Sequence, residues 1–269
     1  MHAPLSNPHS RKRTAWDIQR AVFLALFVRE LKTRFGGRWL GVFWVLLEPT
    51  AHLAMLLVIF AFIRHRLLPG LEFPVFLLTG LVPFFVFRNL TLRGMDAIDS
   101  NRGLFGYRQV KPIDPMLARA LLEVSLYGLI FVTMLAVMGW LDIEVAPHRP
   151  LEWLGVFAVV VVLGFSLGLV FAVCTDDLPE LRSFVRIVFV PLYLLSGVMF
   201  PVATLSESVL PWLLWNPMLH AIEISRGFFF TGYHVIPQVS LLYPIGCALV
   251  ALTLGLMLYR VRRHRLLAS

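Results

Sequence analysis

The stretch Leu151–Cys174 reads LEWLGVFAVVVVLGFSLGLVFAVC, and its one charged residue, Glu152, sits at the start. Crossing roughly 30 Å of hydrocarbon takes about 20 consecutive, mostly apolar residues. The stretch therefore reads as a transmembrane helix. Working outward, five more segments qualify or nearly qualify: Leu40–Ile63, Phe73–Leu90, Leu117–Leu141, Val185–Val202 and Val239–Tyr259. Val185–Val202 is the weakest, because it contains Pro191 and runs out at Pro201. The expected fold class is an all-α membrane protein with six transmembrane helices.

Composition agrees with that reading. Hydrophobic residues make up 58% of the 269 and charged residues 15%, against roughly 45–50% and about 25% in ordinary globular chains. Mean hydropathy is +0.78. The apolar runs leave no stretch long enough for a separate soluble domain. The two cysteines, Cys174 and Cys247, lie in apolar runs without metal-ligand spacing and read as small buried side chains.

The charge is distributed by side. With the N-terminus inside, 20 of the 24 Lys and Arg residues fall in inner segments. The positive-inside rule then places both termini in the cytoplasm. That distribution accounts for the formal charge of +8 without a nucleic-acid-binding surface. Trp140, Trp153, Trp212, Trp215 and Tyr233 mark the expected outer interface, and Trp16 and Trp39 the inner one. The apolar stretch Ala21–Val28 is short and is followed by Arg29, Glu30, Lys32 and Arg34, not by a small-residue cleavage site. A cleaved leader is not expected.

Three polar segments stand out. Residues 1–39 form an N-terminal region in which Thr14–Arg38 reads as an amphipathic helix lying in the membrane interface, ahead of a transmembrane domain over residues 40–269. The inner loop Thr91–Met116 carries Arg93, Asp96, Asp99, Asn101, Arg102, Arg108, Lys111 and Asp114, with room for a short helix ending near Gly103. The outer segment Pro201–Gln238 is rich in Pro, Trp and Phe but poor in charge. It reads as short re-entrant helices between spans five and six, since irregular backbone at membrane depth must pack on protein or line a wet cavity.

Several motifs are weighed and set aside. Gly164-Phe-Ser166-Leu-Gly168 matches a serine-hydrolase pattern, but it lies mid-span, and four-residue glycine spacing serves helix packing in lipid. His220 and Glu223 have metal-like spacing without a third ligand, so no metal site is expected. Glu48 with His52, and Arg119 with Glu123, are i, i+4 pairs within spans, where ionisable groups pair or face a polar cavity. No chain of carboxylates crosses the membrane middle, which argues against an ion-driven carrier. The three lysines, Lys12, Lys32 and Lys111, do not follow glycine, so the chain has no P-loop and is not itself an ATPase.

Residues spread along the chain carry a family resemblance. They are Arg29-Glu30-Leu-Lys32-Thr-Arg34-Phe with Leu40-Gly41-Val-Phe-Trp44-Val-Leu-Leu-Glu48-Pro49, then the loop from Asn101 to Asp114 with Arg119 and Glu123. Ser196-Gly197-Val-Met-Phe200-Pro201, Trp215-Asn216-Pro217-Met-Leu-His220-Ala-Ile-Glu223 and Arg226-Gly-Phe-Phe complete the set. The sequence resembles the permease subunits of ABC-2 type exporters, and within them the capsular-polysaccharide permeases. The resemblance implies two permease copies working with two copies of a separate ATPase, which would hold the ATP and Mg; no cofactor is expected on this chain. It further implies a lipid-linked acidic polysaccharide as substrate, with a periplasmic adaptor and an outer-membrane exporter beyond.

Residue by residue, the resemblance implies ATPase coupling through Arg29, Glu30, Arg34, Asp96, Asp99, Asn101, Arg102 and Phe105. An outer gate would comprise Trp212, Trp215, Asn216, Pro217, His220, Glu223 and Arg226. A sugar path needs stacking walls and, at the inner mouth, cations for an anionic headgroup. Trp44, Phe84 and Tyr193, with Arg34, Arg38 and Arg119, fit those roles. Two alternatives stay open at this level: a permease of the same family for O-antigen or teichoic acid, and a membrane-embedded glycosyl- or acyltransferase using His220 and Glu223.

Overall fold

A computed structural model describes residues 14–36, 43, 44, 47, 50–56, 58, 59 and 72–268. The helices with complete descriptions are α1 (Ala15–Phe35), α2 (Phe73–Met95), α3 (Ile113–Trp140), α4 (Pro150–Cys174), α5 (Leu181–Leu195), α6 (Leu210–Leu213), α7 (Pro217–Phe229) and α8 (Leu242–Ala268). Two 3-10 turns, Asp99–Leu104 and Val202–Thr204, complete the regular structure. No strand occurs among the described residues, in agreement with the all-α expectation.

Four helices among the described residues are long and apolar enough to cross a membrane: Phe73–Met95, Ile113–Trp140, Pro150–Cys174 and Leu242–Arg263. The expected first span, Leu40–Ile63, lies partly outside the described residues. Its described positions between 43 and 59 are helical, and Leu53 is fully buried in the main core. The expected fifth span is shorter than its apolar run. The α5 helix has 15 residues, about 22 Å at 1.5 Å per residue, and ends at Leu195 before Gly197 takes a φ of 67°.

The helix α4, the stretch quoted at the outset, is the hub of the bundle and packs on α2, α7 and α8. Its glycines explain the approach to α2. A Cβ on Gly164 would lie 2.9 Å from the Phe87 carbonyl oxygen, and one on Gly168 would lie 2.7 Å from that of Leu90. Small residues let backbones meet in lipid, where packing rather than hydrophobicity drives association. The Ser166 hydroxyl, between those glycines, donates to the Val162 carbonyl one turn back. It is buried structure, and the hydrolase reading ends there.

The helix α1 has local start and stop signals. The Asp17 N–H donates to Thr14 Oγ1 (3.2 Å) and the Thr14 N–H donates to Asp17 Oδ2 (3.1 Å), a reciprocal capping box. Gly36 ends the helix at φ 63°. Leu26 and Glu30 are its buried residues, and the helix packs on α3. Trp16, Leu24 and Val28 stay exposed.

Candidate functional site

The ends of α1, α2 and α3 converge on a cavity of about 660 Å³ lined by Glu30, Thr33, Arg34, Asn89, Leu92, Arg93, Asp96, Arg119 and Arg186. A second cavity, of about 370 Å³, shares Arg34, Asn89 and Arg93 with it and adds His52, Phe85, Arg88 and Tyr127. The two adjoin through those shared residues. Five arginines from four helices, Arg186 being on α5, thus face one connected space. Charged side chains near the ends of spans usually pair with one another or face a polar cavity.

Most of these arginines are held by carboxylates from other elements. Arg119 grips Glu30 with both ends of its guanidinium, Nη2 to Oε1 at 2.8 Å and Nε to Oε2 at 3.1 Å. It also donates to the Arg93 carbonyl (2.9 Å) and to Ser100 Oγ (3.1 Å). Arg93 donates to Glu123 Oε1 at 2.8 Å, with Arg34 at 3.9 Å from the same oxygen. The i, i+4 pairing of Arg119 with Glu123 is therefore replaced by pairings across helices. The Arg119–Glu30 pair is bidentate, the stronger and more specific form of an Arg–carboxylate contact.

The loop after α2 is sewn into the same layer. Arg29 donates to Asn101 Oδ1 (2.6 Å), and Asn101 donates to the Ala97 carbonyl (2.8 Å). Asp99 takes Arg102 (2.7 Å) and Arg182 (2.9 Å), while Asp96 takes Arg186 (2.8 Å). Arg102 reaches on to Asp176, and Asp177 pairs with Arg262 and Arg265 of α8. Burial alone would push the Asp99 carboxyl up. The hydrogen bonds from Arg182 and Arg102, with their charges, outweigh it and hold the group below its ordinary value.

This arrangement redistributes the residues expected to couple to a partner. Arg29, Glu30, Arg34, Asp96, Asp99, Asn101 and Arg102 all belong to the intramolecular network. Phe105 is buried against Ala97, Ile98, Met116, Leu169, Ala172 and Val173. Asp99, Ser100 and Lys111 are exposed as well, but the outward tip of the loop is Tyr107, Arg108 and Gln109, beside Gly106. The network predicts strong coupling between Glu30 and Arg119. Each of Glu30→Arg and Arg119→Glu is expected to lower the melting temperature, with the double swap recovering about 1–3 kcal/mol in a double-mutant cycle. Strictly additive losses would refute the pairing.

The expected path residues are brought together only in part. Arg34 and Arg119 line the first cavity. Arg38 lies outside the described residues. Trp44 is exposed and edge-on to Phe43. Phe84 is enclosed by Phe85, Phe87, Phe189 and Tyr193, because α2 is covered on nearly all sides. Its neighbour Phe85, stacked on Tyr193, is the ring that reaches a cavity wall. Sequence reading missed Arg88, Asn89 and Arg182 as members of this layer. Their signal was position alone: Arg88 and Asn89 stand near the end of an apolar span.

At the opposite end of α2, His220, Glu223 and Arg226 of the expected outer gate are buried in a polar knot that Asn216 and Pro217 adjoin. Asn216 caps α7, its Oδ1 accepting from Met218 N–H (2.9 Å) and its amide donating to Ser196 Oγ (2.9 Å), with Pro217 in the first turn. Arg226 is fully buried. It donates to the carbonyls of Gly197 (2.7 Å) and Val198 (2.6 Å) and lies 3.6 Å from the centre of the Phe76 ring. Glu223 accepts from Tyr233 at both oxygens (2.9 and 3.0 Å). His220 accepts from the Ser240 N–H at Nδ1 (3.0 Å), which leaves Nε2 to donate to the Leu214 carbonyl (2.9 Å). Trp212 and Trp215 are exposed. His220 and Glu223 thus serve separate partners, and no cluster of three metal-ligand side chains occurs among the described residues.

A helical bundle with four span-length helices, an arginine-lined cavity at one end and a polar knot at the other defines a polytopic membrane protein of the transport type. A family model described as ABC-2 type transporter matches residues 21–230. The chain belongs to that family. It is 40% identical over 257 residues to the polysialic acid transport protein KpsM of Escherichia coli, covering 96% of this chain and 99% of that one. It is 29% identical over 249 residues to the capsule polysaccharide export inner-membrane protein BexB of Haemophilus influenzae, covering 90% and 91%. It is also 25% identical over 243 residues to the O-antigen export system permease protein RfbA of Myxococcus xanthus, covering 87% and 88%.

Proposed function

We propose that this chain is the permease subunit of an ATP-driven exporter that moves a lipid-linked, acidic capsular polysaccharide outward across the inner membrane. The observation that carries the reading is the arginine-lined cavity at the ends of α1, α2 and α3. Guanidinium groups bind phosphate and carboxylate oxygens in fixed geometry. Asn89 and Tyr127 beside Phe85 add the hydrogen-bonding and stacking surfaces a sugar needs. Greater similarity to the capsule relatives than to the O-antigen relative favours a capsular polymer.

In this reading the chain has six spans, the sixth being α8, with both termini cytoplasmic and α6 and α7 re-entering from the outer side. Two copies pair with two ATPase subunits that carry ATP and Mg, and an adaptor and outer-membrane exporter continue the path. The ATPase docks on α1 and on the exposed tip at Tyr107, Arg108 and Gln109. The ion-pair layer passes its movement to α3, α5 and α8, biasing a two-state equilibrium of the path.

The test is complementation of a strain lacking its own copy. Replacing Arg34 and Arg93 together by alanine is expected to lower surface polymer at least tenfold, with polymer accumulating inside and the protein still inserted. Replacing Tyr107 and Arg108 by alanine is expected to lower ATPase co-purification instead. Normal export by the arginine variant would overturn the substrate-path reading.

A further inference from the structure

Arg34 and Arg93, which line both cavities, share one carboxylate oxygen. Glu123 Oε1 accepts from Arg93 at 2.8 Å and lies 3.9 Å from Arg34 Nη2. The Glu123 side chain is fully buried. Its second oxygen and the Nε of Arg34 are buried without a hydrogen-bond partner among the described residues. The neighbouring pairs differ. Glu30 satisfies Arg119 with two bonds, and Asp96 meets Arg186 at 2.8 Å. Two positive charges therefore answer to one negative charge at the shared wall, and one of the two is loosely held.

We infer that Glu123 is a specificity-determining residue, an internal counter-anion that competes with the anionic group of the substrate for Arg93 and Arg34. This rests on the cavity being the substrate's inner site, as proposed above. With no substrate, Glu123 holds both guanidinium groups in register and offsets the cost of burying them. An arriving anionic headgroup takes Arg34 first, because that pair is longer, and then shares Arg93. At the Glu123 wall itself the excess of one positive charge suits a singly charged group, while Arg88, which also lines the second cavity, attracts either kind of group. A doubly charged one meets the buried Glu123 carboxylate at close range, where repulsion is weakly screened. The same repulsion keeps the bound group releasable, which a conducting site requires.

The experiment uses the complete complex of this chain with its ATPase in phosphatidylcholine nanodiscs. It measures binding of two probes, phosphatidylglycerol (singly charged) and phosphatidic acid (able to carry two charges). Glu123→Gln keeps the shape and removes the charge. It is expected to tighten phosphatidic acid binding at least tenfold and phosphatidylglycerol binding less, narrowing the preference between them. Glu123→Asp keeps the charge and is expected to preserve the wild-type preference. A merely structural Glu123 predicts the opposite sign, weaker binding of both probes in Glu123→Gln through loosened arginines, and that result overturns the inference. Unchanged affinities in Glu123→Gln overturn it equally. Wild-type protein that binds neither probe more tightly than the Arg34→Ala/Arg93→Ala variant would instead remove the cavity reading on which the inference stands.

Discussion

Replacing Arg226 by alanine is expected to abolish the folded protein. The guanidinium is fully buried, so no water can take over its role. Its loss strips donors from the Gly197 and Val198 carbonyls and removes a cation from the face of Phe76. Hydrogen bonds to a charged group contribute about 1.5–3 kcal/mol each, and a desolvated cation on an aromatic face about 2 kcal/mol. The sum is comparable to the whole stability of a domain, about 5–15 kcal/mol. The void left behind adds to the loss. Arg226→Lys keeps the charge but not the two-pronged geometry, and an intermediate loss is expected. Membrane abundance and the melting temperature of detergent-purified protein measure both variants. A wild-type melting temperature for Arg226→Ala would show that the knot at the N-terminal end of α2 contributes little.

Gly168→Leu carries the second large effect. Its Cβ alone would come within 2.7 Å of the Leu90 carbonyl oxygen and 3.3 Å of the Gly94 Cα. Overpacking costs roughly 1–3 kcal/mol where side chains can yield. Here the obstacle is helix backbone, so α2 must move away from α4 along its length. That shift would also strip Thr91 Oγ1 of its 3.2 Å contact with the Gly164 carbonyl. Aggregation or degradation is expected. Gly155 in the same helix has nothing within 4 Å of a built Cβ, so Gly155→Leu is the matched control and is expected to fold. Equal melting temperatures for the two variants would refute the close-packed α2–α4 contact.

What could be read in advance follows from the range of each force. The uniform apolarity of Leu151–Cys174 is a property of consecutive residues, and it identified the hub helix within one residue at its start. The i, i+4 spacing of Gly164 and Gly168 identified a packing face, although not its partner. The Asn216-Pro217 cap at the start of α7 is local chemistry that the sequence carries, but in sequence reading it marks only a break in the chain. The length of α5 was not legible. Its apolar run continues to Val202, but a left-handed Gly197 and the carbonyls turned toward Arg226 stop the helix near Leu195.

The candidate site was legible as residue types but not as pairs. Arg29, Glu30, Arg34, Arg119 and Glu123 were marked by the rarity of charge near apolar runs. Sequence spacing paired Arg119 with Glu123 on one helix face, a local choice worth about 0.2–0.5 kcal/mol on an exposed helix. The folded chain pairs Arg119 with Glu30, 89 positions away, and gives Glu123 to Arg93 on α2. Phe105 and Asn101 carried no mark of facing inward, since burial of a loop residue depends on what packs over it.

The sequence by itself determined the class: an all-helical membrane chain with a span over Leu151–Cys174 and its charges crowded near the ends of the apolar runs. These follow from local apolarity and from where charge interrupts it. Only the tertiary structure decided which helices the hub's glycines meet, and which arginines share a carboxylate. It also decided that the charged loop is bound into the bundle with an outward tip at Tyr107. The physical reason is that hydrophobic length is counted along the chain, whereas a buried charge is satisfied by whichever opposite charge folding brings within reach.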